Sequence, residues 1–154
     1  MVRKTTYPGW AGEHVPVYAI AEWVYCPNSL IWKLWDVKTL KNPCIRVMAG
    51  RLVNKKLVED VNANLIDKVG RKIVICELEL ESDELMITGK LDYAVFEKEK
   101  AYPVELKVHP PPKTGEPWLN HAVTVVAYAL LLSEYLDTKI EHGYVYYSAG
   151  KHPR

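Results

Sequence analysis

The stretch that most constrains this chain is residues 85–109, LMITGKLDYAVFEKEKAYPVELKVH, which reads as two extended segments joined by a charged turn around Glu97–Lys100. Leu85, Ile87, Gly89, Leu91, Tyr93 and Val95 occupy one parity of the first segment, and Thr88, Lys90 and Asp92 the other. Period 2 therefore sends Asp92 out on the less apolar face. In the second segment Tyr102, Val104, Leu106 and Val108 share a parity, which leaves Glu105 and Lys107 side by side on the opposite one. A hairpin that aligns Asp92 with Glu105 brings two carboxylates and an ammonium together.

Such a meeting has a chemical use. Oxygen ligands from two strands can hold a hard divalent ion, Mg²⁺ or Mn²⁺, and a neighbouring ammonium can orient water or offset charge on a phosphodiester transition state. The bare pattern, an aspartate followed by Glu-x-Lys, also fits two solvated strand positions with an ordinary surface ion pair. The triplet does not decide between these by itself.

The rest of the chain narrows the choice. Its 154 residues predict one domain, 1–154, around a single core. Twenty basic against nineteen acidic residues give a net charge of +1, so no global field attracts nucleic acid. DNA binding would have to rest on a local patch or on a metal that offsets the acids. Cys26, Cys44 and Cys76 are odd in number and lack a CxxC spacing, which argues against a disulfide framework. MVRK is followed by no apolar signal core, and the apolar run Val125–Leu132 is too short to span a bilayer. A cytoplasmic protein without membrane contact is expected.

Residues 1–16, rich in Pro, Gly and aromatics, predict an irregular N-terminal arm. VYAIAEWVYC predicts a short helix interrupted at Pro27, with Asn28 or Ser29 capping a second that carries Leu30, Ile31, Leu34 and Trp35. Residues 47–66 have the spacing of an amphipathic helix, with Gly50, Asn54 and Val58 at intervals of four. Residues 71–81 alternate as a strand, and HPPPKTGEP reads as a loop leading to a helix over 117–136. That helix is apolar through Trp118, Val125, Val126, Leu130, Leu131 and Leu132, with His121, Thr124 and Tyr128 as a polar stripe. A strand within 140–147 completes the order helix, three strands, helix, strand: an α/β fold with a mixed sheet flanked by helices.

Five segments in this order, VYAIAEWVYCP, AGRLVNKK, ITGKLDYAV, YPVELKV and VTVVAYALLLSEYL, resemble the CRISPR-associated RecB-like exonuclease family of the PD-(D/E)xK nuclease superfamily. The resemblance covers residues 17–147. It implies a restriction-endonuclease-like fold and a metal-dependent DNA nuclease, with Asp92 and Glu105 as metal ligands and the Leu106 carbonyl as a further oxygen ligand. It implies Lys107 as the water-positioning and charge-stabilising group, and Tyr128 as the tyrosine of the late-helix Q-x-x-x-Y signature. Asn54 stands where the family's G-x-x-x-H histidine falls, and Thr124 where its glutamine falls. Cys26 matches the first of four cluster cysteines, and the other three have no counterpart, so the resemblance is to a reduced member and no iron–sulfur cluster is expected.

Implied partners are DNA, as single strands or duplex ends, CRISPR spacer-integration proteins or a viral or host DNA-processing system, and a second copy of the chain. The replacements at Asn54 and Thr124 keep a second class open: a catalytically weak nuclease fold retained for DNA binding or assembly. His109 and His121 are secondary candidates for phosphate contact. Trp23, Trp32, Trp35 and Trp118 fit core packing better than base stacking. His14, His142 and His152 have no mutual spacing that argues for zinc.

Overall fold

The computed structural model describes residues 13–35, 73–97, 100–108 and 110–147. The helix expected over 47–66, with Asn54, and also Cys44 and His109, lie outside the described residues.

The elements are β1 (Val15–Pro16), α1 (Val17–Tyr25), α2 (Pro27–Trp35), β2 (Ile73–Ser82), β3 (Ile87–Glu97), β4 (Lys100–Lys107), α3 (Leu119–Leu136) and β5 (Tyr144–Tyr147). β2, β3 and β4 are antiparallel neighbours, whereas β1 joins β3 and β5 joins β4 in parallel. Because parallel neighbours cannot be joined by a tight turn, α3 serves as the crossover from β4 to β5. A mixed sheet flanked by helices is the restriction-endonuclease-like α/β arrangement.

Two expectations are corrected at the N-terminus. Residues 1–12 of the expected arm lie outside the described residues, and at its end Val15 and Pro16 are not irregular but pair with Ile87 and Thr88, the Val15 amide donating to the Met86 carbonyl at 2.7 Å. The first helix ends before Pro27 as expected, and Pro27 itself opens α2, at a position where its missing N–H costs nothing. Ser29, expected as a cap, instead donates its hydroxyl to Glu22 of α1.

The core lies where α1 and α3 pack on the sheet. Val17, Leu80, Leu91, Ala127, Tyr128, Leu131 and Leu132 are all buried there. The alternation read in β2 holds, with Ile73, Ile75, Glu77, Glu79 and Glu81 outward and Leu80 and Ser82 buried. In α3 the expected faces are partly inverted. His121, Thr124 and Tyr128 are buried, while Trp118, Val126 and Leu130 are about half exposed, at 53%, 58% and 49%. The stripe turns inward because each of its polar atoms finds a partner: Thr124 donates to the Asn120 carbonyl, Tyr128 to the Lys90 carbonyl, and His121 meets the Tyr147 hydroxyl. Asp137, in the left-handed conformation at φ 48°, ends the helix, and the Thr138 amide returns to the Ser133 carbonyl.

Candidate metal and phosphodiester site

β3 is where the site is made. β2 runs along one edge of it from Ile87 to Phe96, so β1 and β4 share the other edge. β1 takes Ile87 and Thr88, and β4 takes Tyr93 to Glu97. Between them, from Gly89 to Asp92, that edge has no strand partner among the described residues.

Side chains occupy the gap. The Tyr128 hydroxyl donates to the Lys90 carbonyl at 2.7 Å. The Leu106 amide, just past the last paired residues Tyr93 and Val104, donates to Asp92 Oδ2 at 2.8 Å. Asp92 therefore fastens β3 to β4 where the ladder opens. Tyr128 reaches over the strand only because residue 89 has no side chain: a Cβ there would lie 2.8 Å from Tyr128 Cε1 and 2.9 Å from Val17 Cγ2.

Asp92, Glu105 and Lys107 are brought together as the register of the hairpin requires. Lys107 Nζ is 2.6 Å from Glu105 Oε1, and Glu105 is hydrogen-bonded through its side chain to Asp92. Burial is nearly complete at Glu105, 8% exposed, and it raises this carboxyl to about 7, with the Asp92 charge adding to the rise and Lys107 opposing it. Burial also raises Asp92, against the lowering effect of the Leu106 amide and of Lys107. The two side chains are hydrogen-bonded to each other, and that bond favours a proton on Glu105 over one on Asp92.

That proton bears on whether the site suits a divalent ion. One ammonium faces two carboxylates, and the proton on Glu105 makes up the missing positive charge. A hard cation on the same oxygens would replace the proton and leave one positive charge in excess, which suits an incoming phosphodiester. The donor set therefore fits Mg²⁺ or Mn²⁺. Leu106, expected to offer its carbonyl, enters the site through its amide. Asn54, expected as a further ligand, is outside the described residues.

At the far end of β4 the parallel register sets Lys107 beside Tyr147. The Tyr147 hydroxyl accepts the Trp118 amide at 3.1 Å and lies 3.0 Å from His121 Nδ1, which ties the first turn of α3 to the Lys107 end of the sheet. Glu77, opposite Asp92 on β2, has a φ of 54° inside a strand and pairs with Lys90 at 3.0 Å. Its negative charge adds to the rise at Asp92. Sequence reasoning singled out neither Tyr147 nor Glu77. The alternating glutamates of β2 were the available signal for Glu77.

A second cluster was also missed. His14, Glu81 and Asp83 offer ligand atoms within 4.8 Å of one another, a set capable of coordinating a divalent metal. Sequence spacing could not show it, because His14 is separated from the two acids by more than sixty residues and only the pairing of β1 with β3 unites them.

A restriction-endonuclease-like fold carrying the Asp92–Glu105–Lys107 cluster is consistent with a PD-(D/E)xK-like nuclease. Comparison with known proteins agrees at that level. The chain is 27% identical over 124 residues to the CRISPR-associated exonuclease Cas4 of Francisella tularensis subsp. novicida (strain U112), the alignment taking in 79% of this chain. This makes it a distant homologue of a Cas4-like nuclease, and it spans only 60% of that relative's length. The crystal structure of SSO0001 superposes with a TM-score of 0.52 over 95% of this chain and 67% of that one, at 14% identity, a likeness of fold alone. No family model matches the sequence.

Proposed function

We propose that this chain is a metal-dependent deoxyribonuclease, acting as an exonuclease, that hydrolyses phosphodiester bonds at Asp92, Glu105 and Lys107. The observation that carries the reading is the buried Asp92–Glu105 pair, short of one positive charge and held by Lys107 at 2.6 Å from Glu105 Oε1. Asp92 and Glu105 would hold Mg²⁺ or Mn²⁺, with Asn54 completing or supporting the shell. When bound, such an ion lowers the pKa of a coordinated water and polarises the phosphoryl oxygens.

The chain's own groups do the rest. Burial raises the Asp92 carboxyl, and the Leu106 amide, which donates to its Oδ2, and Lys107 oppose that rise. Glu105 would give up its proton when a cation binds there. Lys107, anchored by Glu105, presents its remaining N–H groups to the attacking water or to the phosphoryl oxygens. Tyr128 acts on this site through the strand, by holding the Lys90 carbonyl two residues before Asp92. Direct attack by water needs no protein-bound intermediate.

DNA is the proposed substrate, and a CRISPR-associated role is proposed from the likeness to a CRISPR-associated exonuclease. The test is cleavage of end-labelled single- and double-stranded DNA with Mg²⁺ or Mn²⁺ by wild type and by Asp92→Asn. Cleavage lost in the variant supports the reading, and equal cleavage by both proteins removes it.

One observation favours a second reading. The Thr124 hydroxyl, at the position of the family's glutamine, is spent on the Asn120 carbonyl of its own helix. A nuclease fold that retains DNA binding or assembly contacts with little turnover would bind labelled DNA in Mg²⁺ without shortening it.

A further inference from the structure

The cluster at His14 is separate from the site just described. Glu81 pairs with Thr88 in the sheet register, and Thr88 lies four residues of extended chain before Asp92, about 13 Å along the strand. Two ions acting on one phosphate stand roughly 3.5–4 Å apart, so the two clusters do not make a two-metal centre.

We infer that His14, Glu81 and Asp83 form a second divalent-cation site, of Zn²⁺ type, that staples β1 to the turn between β2 and β3. Three observations carry it. First, the donors converge: His14 Nε2 is 2.8 Å from Asp83 Oδ1 and His14 Nδ1 is 3.6 Å from Glu81 Oε1. Ligand atoms on one tetrahedral zinc stand roughly 3–3.5 Å apart, so His14 would bind through one ring nitrogen and the exposed carboxylate now at the other nitrogen would rotate to join it, leaving a fourth position for water. An imidazole nitrogen among them selects a borderline ion over Mg²⁺ or Ca²⁺.

Second, the charge is uncompensated. Among the described residues, Glu81 and Asp83 pair with His14 and with no lysine or arginine. Two carboxylates thus converge on a single imidazole whose side chain is 12% exposed. Third, the frame is fixed. Ser82, between the two acids and 1% exposed, donates to Glu134 of α3 and accepts the Leu85 amide at 2.9 Å. Its rigidity holds Glu81 and Asp83 on backbone that does not have to be ordered when an ion arrives.

The site has a job. β1 is joined to β3 by only two residue pairs and runs straight into α1, so its attachment is weak for a junction that starts a helix packed on α3. An ion that binds the folded junction and not the unfolded chain stabilises it by mass action.

Calorimetric titration of the whole, EDTA-stripped chain with Zn²⁺, paired with thermal melting, tests the inference in an Asp92→Asn/Glu105→Gln background that removes the other cluster. That protein should bind one equivalent of Zn²⁺ and melt at a higher temperature with it. Adding Glu81→Gln/Asp83→Asn, both on exposed side chains, should weaken binding at least tenfold and abolish the rise in melting temperature. His14→Gln should do the same. Undiminished binding after these changes, or none in the starting background, overturns the inference. Neither outcome depends on nuclease activity.

Discussion

Lys107 and Tyr128 both bear on the proposed site, but they act at different removes. Lys107 carries its charge into the cluster, so Lys107→Met should leave metal affinity nearly intact while cutting DNA cleavage about a hundredfold, or roughly 3 kcal/mol of transition-state stabilisation. Single-turnover cleavage alongside calorimetry with Mn²⁺ separates the two effects, and a variant that cleaves at the wild-type rate would show that the ammonium only balances Glu105. Tyr128→Phe removes one buried hydrogen bond to the Lys90 carbonyl and should cost on the order of 1–2 kcal/mol of stability. Its effect on cleavage should follow from a shift of Asp92, appearing as weaker metal binding rather than as slower chemistry at saturating metal. The hairpin pattern alone brought Asp92, Glu105 and Lys107 together because period 2 and a short turn fix register. It could not show that the Asp92 carboxylate would bind the Leu106 amide, since that contact arises where the ladder opens, not where it repeats.

Among the elements, β3 decides the geometry because three strands compete for its edges. β2 takes one edge and β1 and β4 divide the other, leaving Gly89 to Asp92 to be met by the Tyr128 side chain of α3 and the Leu106 amide of β4. Gly89→Ala tests how far the site depends on that arrangement. A Cβ under 3 Å from both Tyr128 and Val17 must push α1 or α3 away, at a cost of about 1–3 kcal/mol. Thermal melts should show the loss, and Tyr128→Ala/Gly89→Ala should recover part of the strain because the ring is gone. If the two substitutions are simply additive, Gly89 does not serve the passage of Tyr128. Much of this layer was legible in sequence: the strands, the late helix and their order follow from period 2 and period 3.6. What misled was the stripe in α3. His121, Thr124 and Tyr128 look like a solvent face by composition, yet they are buried, because the sheet and the helix backbone supply partners that composition does not reveal. β1 was invisible for a related reason. Two residues carry no period, and only their partner in β3 makes them a strand.

For the molecule as a whole, a net charge of +1 supplies no field to gather DNA, so on the proposed nuclease reading the cluster's own charge would have to do so and a bound cation would become the variable that matters. The same cluster ties global stability to pH. Glu105 titrates at about 7 in the folded chain against an ordinary 4.5, so the folded state holds a proton that the unfolded state releases. A carboxyl raised in this way contributes stability that is full below pH 4.5 and is lost as pH rises toward 7. Metal-free protein should therefore melt at progressively lower temperature across that window, once the general effect of other groups is subtracted by comparison with Glu105→Gln, which has no such proton to lose. Saturating Mg²⁺ should reverse the trend, since the ion takes the proton's place and binds better as Glu105 ionises. Melting curves from pH 4.5 to 8 in EDTA and in Mg²⁺, for wild type and Glu105→Gln, check both halves. Parallel curves for the two proteins in EDTA would mean that Glu105 ionises without cost in the folded state, and the charge deficit on which the metal reading stands would be absent.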